Sequence, residues 1–152
     1  MPTKSIPDFE VAATGGQRFA SAAFRGHRYV IYFYPKDATP GCTIEGAQFR
    51  DLHNEFQHAG IMVFGVSRDS VTSHEKFKAN MQFPFDLISD RDEKMCKLFD
   101  VIKEKNMYGK KVMGIERSTF LMGRNNEIVK EWRGVKVEGH AAAVLAAAKS
   151  VA

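Results

Sequence analysis

Residues 29–34 read Tyr-Val-Ile-Tyr-Phe-Tyr, an unbroken run of β-branched and aromatic side chains. A strand with one wet face would alternate apolar with polar residues, and this run does not. It therefore predicts a strand buried on both faces, which commits the chain to a sheet covered from two sides. Pro35, Thr39, Pro40 and Gly41 follow as a turn, and then Cys42, Glu45, Phe49, Leu52, Phe56 and Ala59 recur at helical spacing. The spacing predicts a helix over 41–57 with Cys42 on its inward face, only partly accessible. A thiol in the first helical turn faces unpaired backbone N–H groups and the positive end of the helix dipole, and both favour its thiolate. The chain so proposes a reactive cysteine, and with it thiol chemistry.

The remaining elements are arranged around that strand. Residues 9–13 alternate weakly and meet Gly15-Gly16, a hairpin signal followed by Gln17-Arg18-Phe19. Residues 61–66 form a second buried strand, 70–81 a helix capped by Ser70 or Thr72, 85–88 a short strand, and 90–99 a short helix with Asp90 near its cap. Residues 103–116 read as a polar, glycine-containing connection. Strands over 118–122 and 127–132 flank the turn Arg124-Asn125-Asn126, and an alanine-rich helix over 139–151 follows. Strand and helix alternate through the first two thirds, so the expected class is α/β, a central mixed sheet flanked by helices with an N-terminal β-hairpin. A buried strand feeding a helix whose first turn carries a thiol is a thioredoxin-like arrangement. Where a dithiol oxidoreductase would show C-x-x-C, this chain has Thr39-Pro40-Gly41-Cys42. The missing first cysteine argues against a disulfide shuttle, and Thr39 in its place suggests a hydrogen bond to something bound at Cys42.

At 152 residues, 44% hydrophobic and 26% charged, the chain fits one ordinary globular domain spanning 1–152. Two cysteines so far apart do not make a disulfide scaffold. The first eight residues lack a signal core and transit character, and no apolar run approaches the ~20 residues that cross a bilayer. No membrane partner is expected, and a reducing cytoplasm is the expected compartment. The formal charge of +4 could suggest an anionic partner. Basic and acidic residues are nevertheless interleaved and no nucleic-acid motif is present, so no nucleic-acid partner is expected. The one basic patch, Lys103, Lys105, Lys110 and Lys111 with Arg117 beyond it, reads as a solvated loop that at most steers anions.

Pro35-x-x-x-Thr39-x-x-Cys42 resembles the peroxiredoxin signature. Residues 32–43, Tyr-Phe-Tyr-Pro-Lys-Asp-Ala-Thr-Pro-Gly-Cys-Thr, closely resemble the bacterioferritin comigratory protein (peroxiredoxin Q) subfamily. The likeness runs on through Phe49-Arg50-Asp51, Gly65-Val66-Ser67, Ser73-His74, Tyr108-Gly109-Lys110-Lys111 and residues 114–121, over nearly the full length. The resemblance implies reduction of hydrogen peroxide and organic hydroperoxides at the expense of thiols. Cys42 would be the peroxidatic cysteine, oxidised to a sulfenic acid. Thr39 and the Cys42 amide would hydrogen-bond the peroxide, Arg117 would stabilise negative charge, Pro35 would shield the thiolate, and Glu45 would orient Arg117. No metal or organic cofactor is implied, because the thiol carries the chemistry. The partners implied are the peroxide and a thiol reductant: thioredoxin, glutaredoxin or a low-molecular-weight thiol.

The chain departs from the subfamily pattern where many members carry a second, resolving cysteine. Position 47 is alanine, and Lys78 stands at the alternative location in the next helix. A one-cysteine cycle is therefore expected. Cys96, at the margin of the apolar face of its own helix, reads as a packing residue before it reads as a resolver. A monomer is expected, with a weak dimer as the alternative. Two other functions remain open: a redox-relay or holdase partner, and a monothiol disulfide oxidoreductase on the same fold. The five histidines show no ligand spacing with the cysteines, no metal site is suggested, and His53 and His58 are expected on a solvated helix face.

Overall fold

The computed structural model describes residues 4–150, with Met107 described by its backbone alone. A six-stranded sheet runs in the order β1 (Lys4–Ser5), β10 (Glu127–Arg133), β9 (Ser118–Met122), β4 (Arg28–Phe33), β5 (Ile61–Ser67) and β6 (Leu87–Ser89). β4 pairs parallel to β5 and antiparallel to β9. β6 adds parallel to β5, while β10 and β1 add antiparallel beyond β9. The mixed sheet and its covering layers agree with the expected class. β2 (Glu10–Ala12) and β3 (Arg18–Ala20) form the N-terminal hairpin around Gly15-Gly16.

β4 carries both cores. Tyr29, Ile31 and Phe33 enter one cluster with Phe9, Phe19, Met95, Cys96, Phe99 and Phe120, under the hairpin and α4 (Lys94–Leu98). Val30, Tyr32 and Tyr34 enter the other with Cys42, Phe49, Phe56, Phe77 and Leu145. That face is covered by α1 (Pro40–Asp51), α2 (His53–His58), α3 (Val71–Met81) and α5 (His140–Ser150). All six residues of the 29–34 run are at most 1% exposed, as two-sided burial requires.

Several boundaries differ from expectation. The helix expected over 41–57 is two helices, with Leu52 at the break (φ −98°, ψ 4°). No proline or glycine marks that position, and the apolar spacing continues across it. His53 consequently lies half-buried with its ring 6.2 Å from that of Phe85, not on a solvated face. The expected connection over 103–116 is a hairpin, β7 (Ile102–Met107) and β8 (Lys110–Ile115), turning at Tyr108 and Gly109, both at positive φ. It escapes a hydrophobic reading because its middle is solvated and only residues at its base, such as Ile115, are buried. β1 has too few residues to carry a pattern. Asp90 stands outside the shorter α4, but its carboxylate accepts from the Met95 and Cys96 amides at 3.0 and 2.8 Å. Ser70 caps α3 through the Ser73 amide, whereas the last expected residue of α5, Val151, lies outside the described residues.

The seat of α1 depends on one close approach. A Cβ on Gly46 would lie 2.4 Å from Phe83 Cζ. Phe83 cannot easily yield, because its ring is 4% exposed, stacked on Phe85 at 4.9 Å and edge-on to Phe77 at 5.1 Å. Gly46→Ala is expected to destabilise the protein by about 1–3 kcal/mol through overpacking. Urea unfolding would show this as a lower midpoint at constant m. An unchanged midpoint would mean that the ring moves aside.

Candidate active site

The segment between β4 and α1 delivers the thiol. Tyr34 keeps one backbone bond to β5, its amide donating to the Val66 carbonyl at 3.0 Å. Ala38 then takes a left-handed conformation (φ 62°), which side chains with a Cβ rarely adopt. Pro40 is the first helical residue, where its fixed φ helps and its missing N–H costs nothing. The Thr43 amide donates to the Thr39 carbonyl at 2.9 Å, so the Gly41 and Cys42 amides precede the first complete turn. Thr39 is the N-cap residue, yet its side chain makes no capping bond among the described residues. Its hydroxyl donates to the Lys36 carbonyl at 2.8 Å. With that proton committed, Oγ1 faces any other partner as an acceptor.

Cys42 is 2% exposed. Arg117, between β8 and β9, reaches it with one arm: Nη2 donates to Sγ at 3.4 Å. The other arm, Nη1, donates to Glu45 Oε1 at 2.6 Å. Gly41 makes room for the fork, since a Cβ there would stand 3.0 Å from Nη2. Burial pushes the Glu45 carboxyl up to about 7, opposed by the adjacent guanidinium. Burial also works against the Arg117 charge, but Glu45 and Cys42 outweigh it and raise Arg117 further above its ordinary value. The structure thus brings Cys42, Arg117 and Glu45 into direct contact, with Thr39 at the helix entrance and Pro35 half-buried in the preceding loop.

Cys96 lies elsewhere. It belongs to the opposite core, is 0% exposed, and burial, with the Asp90 carboxylate adding to it, drives its thiol well above the ordinary range. Its burial is deeper than a place at the margin of an apolar face would give. Ala47 is half-buried on α1, and Lys78 pairs with Asp86 at 2.7 Å.

Two groups near the site carried no predicted role. Lys105, expected in a solvated loop, lies on β7 and donates to the Ile115 carbonyl. Burial lowers its ammonium, Arg117 adds to this, and Cys42 opposes it. Lys103 and Lys111 of the same patch pair with Asp100 and Glu104 at 3.3 and 3.6 Å. The second group is Asp37, Asp69 and His74, each offering one potential ligand atom within 4.8 Å of the others. The Asp37 carboxylate accepts from Tyr34 and Ser73 and contacts His74, and Asp69 Oδ2 accepts from Ser67. Asp37 and Ser73-His74 stand within the motifs that carry the family resemblance, but their mutual contact joins positions 37 apart, which no local pattern encodes.

A dry sulfur, a cationic fork, an acceptor hydroxyl and first-turn amides that no described side chain caps suit a small substrate that donates an O–H and develops anionic charge on an adjacent atom. The family model described as AhpC/TSA family matches residues 2–131. Peroxiredoxin Bcp of Xanthomonas campestris pv. campestris is 57% identical over 143 residues, covering 94% of this chain and 89% of its own. A solved structure of Xanthomonas campestris peroxiredoxin Q superposes with a TM-score of 0.93 at 55% identity, over 97% of this chain and 96% of its own. One of the Xanthomonas campestris bacterioferritin comigratory protein, described for its alkyl peroxide reduction activity, gives a TM-score of 0.92 at 54% identity, over 97% and 96%.

The Glu45 environment sets a pH signature. Its folded carboxyl titrates near 7 while the unfolded one titrates near 4.5. The folded state therefore binds the extra proton between those values, and stability falls as pH rises through that window. Glu45→Gln removes the titration. Urea midpoints from pH 4.5 to 7.5 are expected to show the wild type losing on the order of 2 kcal/mol relative to the variant. Parallel profiles would place the Glu45 carboxyl back in the ordinary range.

Proposed function

The chain belongs to the AhpC/TSA family, in its Bcp and peroxiredoxin Q branch, and is a thiol-dependent peroxidase; from that premise we propose that Cys42 reduces hydrogen peroxide and organic hydroperoxides in a one-cysteine cycle. The observation that carries the assignment is the Arg117 fork, which bonds the Cys42 sulfur with one arm and the buried Glu45 carboxylate with the other. The Cys42 thiolate attacks one peroxide oxygen, the O–O bond breaks, and Cys42 becomes a sulfenic acid. The departing oxygen leaves as an anion and takes a proton to give water or an alcohol. Thr39 Oγ1 accepts a hydrogen bond from the peroxide O–H, which stays on the attacked oxygen and becomes the sulfenic acid hydroxyl, while the Cys42 amide donates a hydrogen bond to the bound peroxide. Arg117 stabilises both the attacking sulfur and the charge on the departing oxygen. Glu45 holds Arg117 in place, and Pro35 shields the sulfur from water. Alkyl hydroperoxides are included because the similar bacterioferritin comigratory protein is described with that activity.

Recycling in this reading comes from outside. With Ala47 and Lys78 where resolving cysteines would stand, and Cys96 in the opposite core, the sulfenic acid meets no partner thiol within the fold. An external thiol condenses with it, releasing water and forming a mixed disulfide; a second thiol then frees Cys42 and leaves as the oxidised reductant. Thioredoxin, glutaredoxin or a low-molecular-weight thiol fills that role. The whole of 1–152 acts as one peroxiredoxin domain, monomeric, in the cytoplasm.

Cys42→Ser is expected to abolish peroxide reduction and Cys96→Ser to preserve it. Intact mass after one equivalent of peroxide is expected to show one added oxygen. Loss of two hydrogens, or dependence of turnover on Cys96, would overturn the one-cysteine cycle. Arg117→Ala is expected to slow attack on peroxide by about two orders of magnitude. Thr39→Val keeps the volume but loses the acceptor, and is expected to slow oxidation by peroxide more than alkylation by iodoacetamide. Equal slowing would mean that Thr39 acts on the sulfur and not on the peroxide.

A further inference from the structure

His74 is fully buried on α3 and both of its ring nitrogens face oxygens. Nδ1 lies 2.7 Å from Asp37 Oδ2 and Nε2 lies 2.9 Å from the Ile88 carbonyl. A carbonyl oxygen can only accept, and so can a carboxylate. A neutral imidazole has one N–H and cannot satisfy both. The second proton sits either on the ring or on Asp37. Its carboxylate accepts the Tyr34 hydroxyl at 2.6 Å and the Ser73 hydroxyl at 2.8 Å. Although burial opposes its charge, these bonds and His74 hold the Asp37 carboxyl below its ordinary value. The geometry calls for a proton between Nδ1 and Oδ2, so the contact is a buried, charge-assisted hydrogen bond, with the Asp69 carboxyl close by.

The pair is one of several side-chain bonds that hold this loop. Asp37 sits in the segment that carries the chain from β4 into the Cys42 turn. Its amide donates to Asp69 Oδ2 at 2.9 Å, and that oxygen also accepts the Ser67 hydroxyl at 2.5 Å. Tyr34 just beyond β4, Ser67 of β5, Ser73 and His74 of α3 and Ile88 of β6 therefore all contribute to holding Asp37. The next residue, Ala38, is exposed and left-handed, a conformation that persists when its surroundings over-determine it.

We propose that the Asp37–His74 hydrogen bond is a latch that holds the first turn of α1 closed, making both residues positioning residues for Cys42. The inference rests on Cys42 being the reactive thiol of the proposed function. Breaking one partner leaves the other buried without a match, and the loop relieves this by opening. Opening carries Cys42 away from the Arg117 fork and toward solvent. Reaction with a small peroxide then slows, while reaction with a bulky reagent excluded from the closed site speeds up. A general loosening of the fold would expose Cys96 as well, so the second cysteine serves as an internal control.

The test uses the reduced full-length protein, Asp37→Asn, His74→Gln and the double variant. Each is treated briefly with 5,5′-dithiobis(2-nitrobenzoate), and labelling at Cys42 and at Cys96 is read separately by peptide mass spectrometry. Ser73→Ala, which removes one hydrogen bond and no charge, is a milder variant should the others fold poorly. Cys42 is expected to label at least about tenfold faster in both single variants, and no faster in the double than in the faster single, because one interaction is lost only once. Cys96 is expected to stay at the wild-type rate, and Cys42 oxidation by hydrogen peroxide to fall only in proportion to the fraction of molecules left closed. Unchanged Cys42 labelling in every variant, or Cys96 labelling that rises in step with it, would overturn the latch. Labelling requires no peroxide chemistry, so a wild-type protein inert to peroxide would count against the proposed function and not against the latch.

Discussion

A sulfur that is to carry negative charge while 2% exposed needs a matching charge at hand, and the Arg117 guanidinium is that match. The same cation also serves Glu45, which is 0% exposed and whose second oxygen finds no partner among the described residues. One guanidinium thus faces two acids in a dry site. Full ionisation of both would leave a net buried negative charge, which burial penalises. Burial alone pushes the Glu45 carboxyl up to about 7, against the pull of the adjacent guanidinium. In the proposed reaction, Glu45 then fixes the fork through a short bond without fully competing with the thiolate for its charge.

The constraint extends outward to the backbone. Two-sided burial of β4 brings the chain out at the edge of a dry core, between layers, and the next residues must turn sharply into α1. Ala38 absorbs part of that turn in an uncommon conformation. Thr39, freed from capping, turns its hydroxyl back to Lys36 and leaves the first amides of α1 without a side-chain cap among the described residues. In an ordinary helix those amides would be capped for stability. Here stability at the helix start gives way to donors that a ligand can use, and the hydrogen bonds around Asp37 hold the loop from the other side.

The sequence was informative wherever the physics is local. The apolar run at 29–34 announced a two-sided strand, the Gly15-Gly16 pair a hairpin, and Ser70 a cap, because each is decided by a few neighbouring residues. Cys42 at a helix start was legible for the same reason. The β7–β8 hairpin was not, since its solvated middle displays no hydrophobic alternation and its turn residues, Tyr108-Gly109, lack a strong composition signal. The Arg117–Glu45 pair spans 72 positions and the His74–Asp37 pair 37. Such contacts exist only after the sheet has assembled. Family resemblance supplied the first of them as an expectation, but assigned no role to the second.

The two cysteines sit in opposite electrostatic environments. Both are buried, and both stand in the early part of a helix. At Cys96 the nearest ionised neighbour is the Asp90 carboxylate, which already occupies the first amides of α4 and raises the cost of a thiolate. At Cys42 the neighbour is a guanidinium, and among the described residues no side chain caps the first turn of α1. Exchanging the sign of one adjacent charge, and capping or uncapping one helix, is enough to separate an inert packing thiol from a candidate nucleophile. The sheet separates the two thiols into opposite cores, and in the proposed cycle this keeps a second thiol away from the oxidised sulfur.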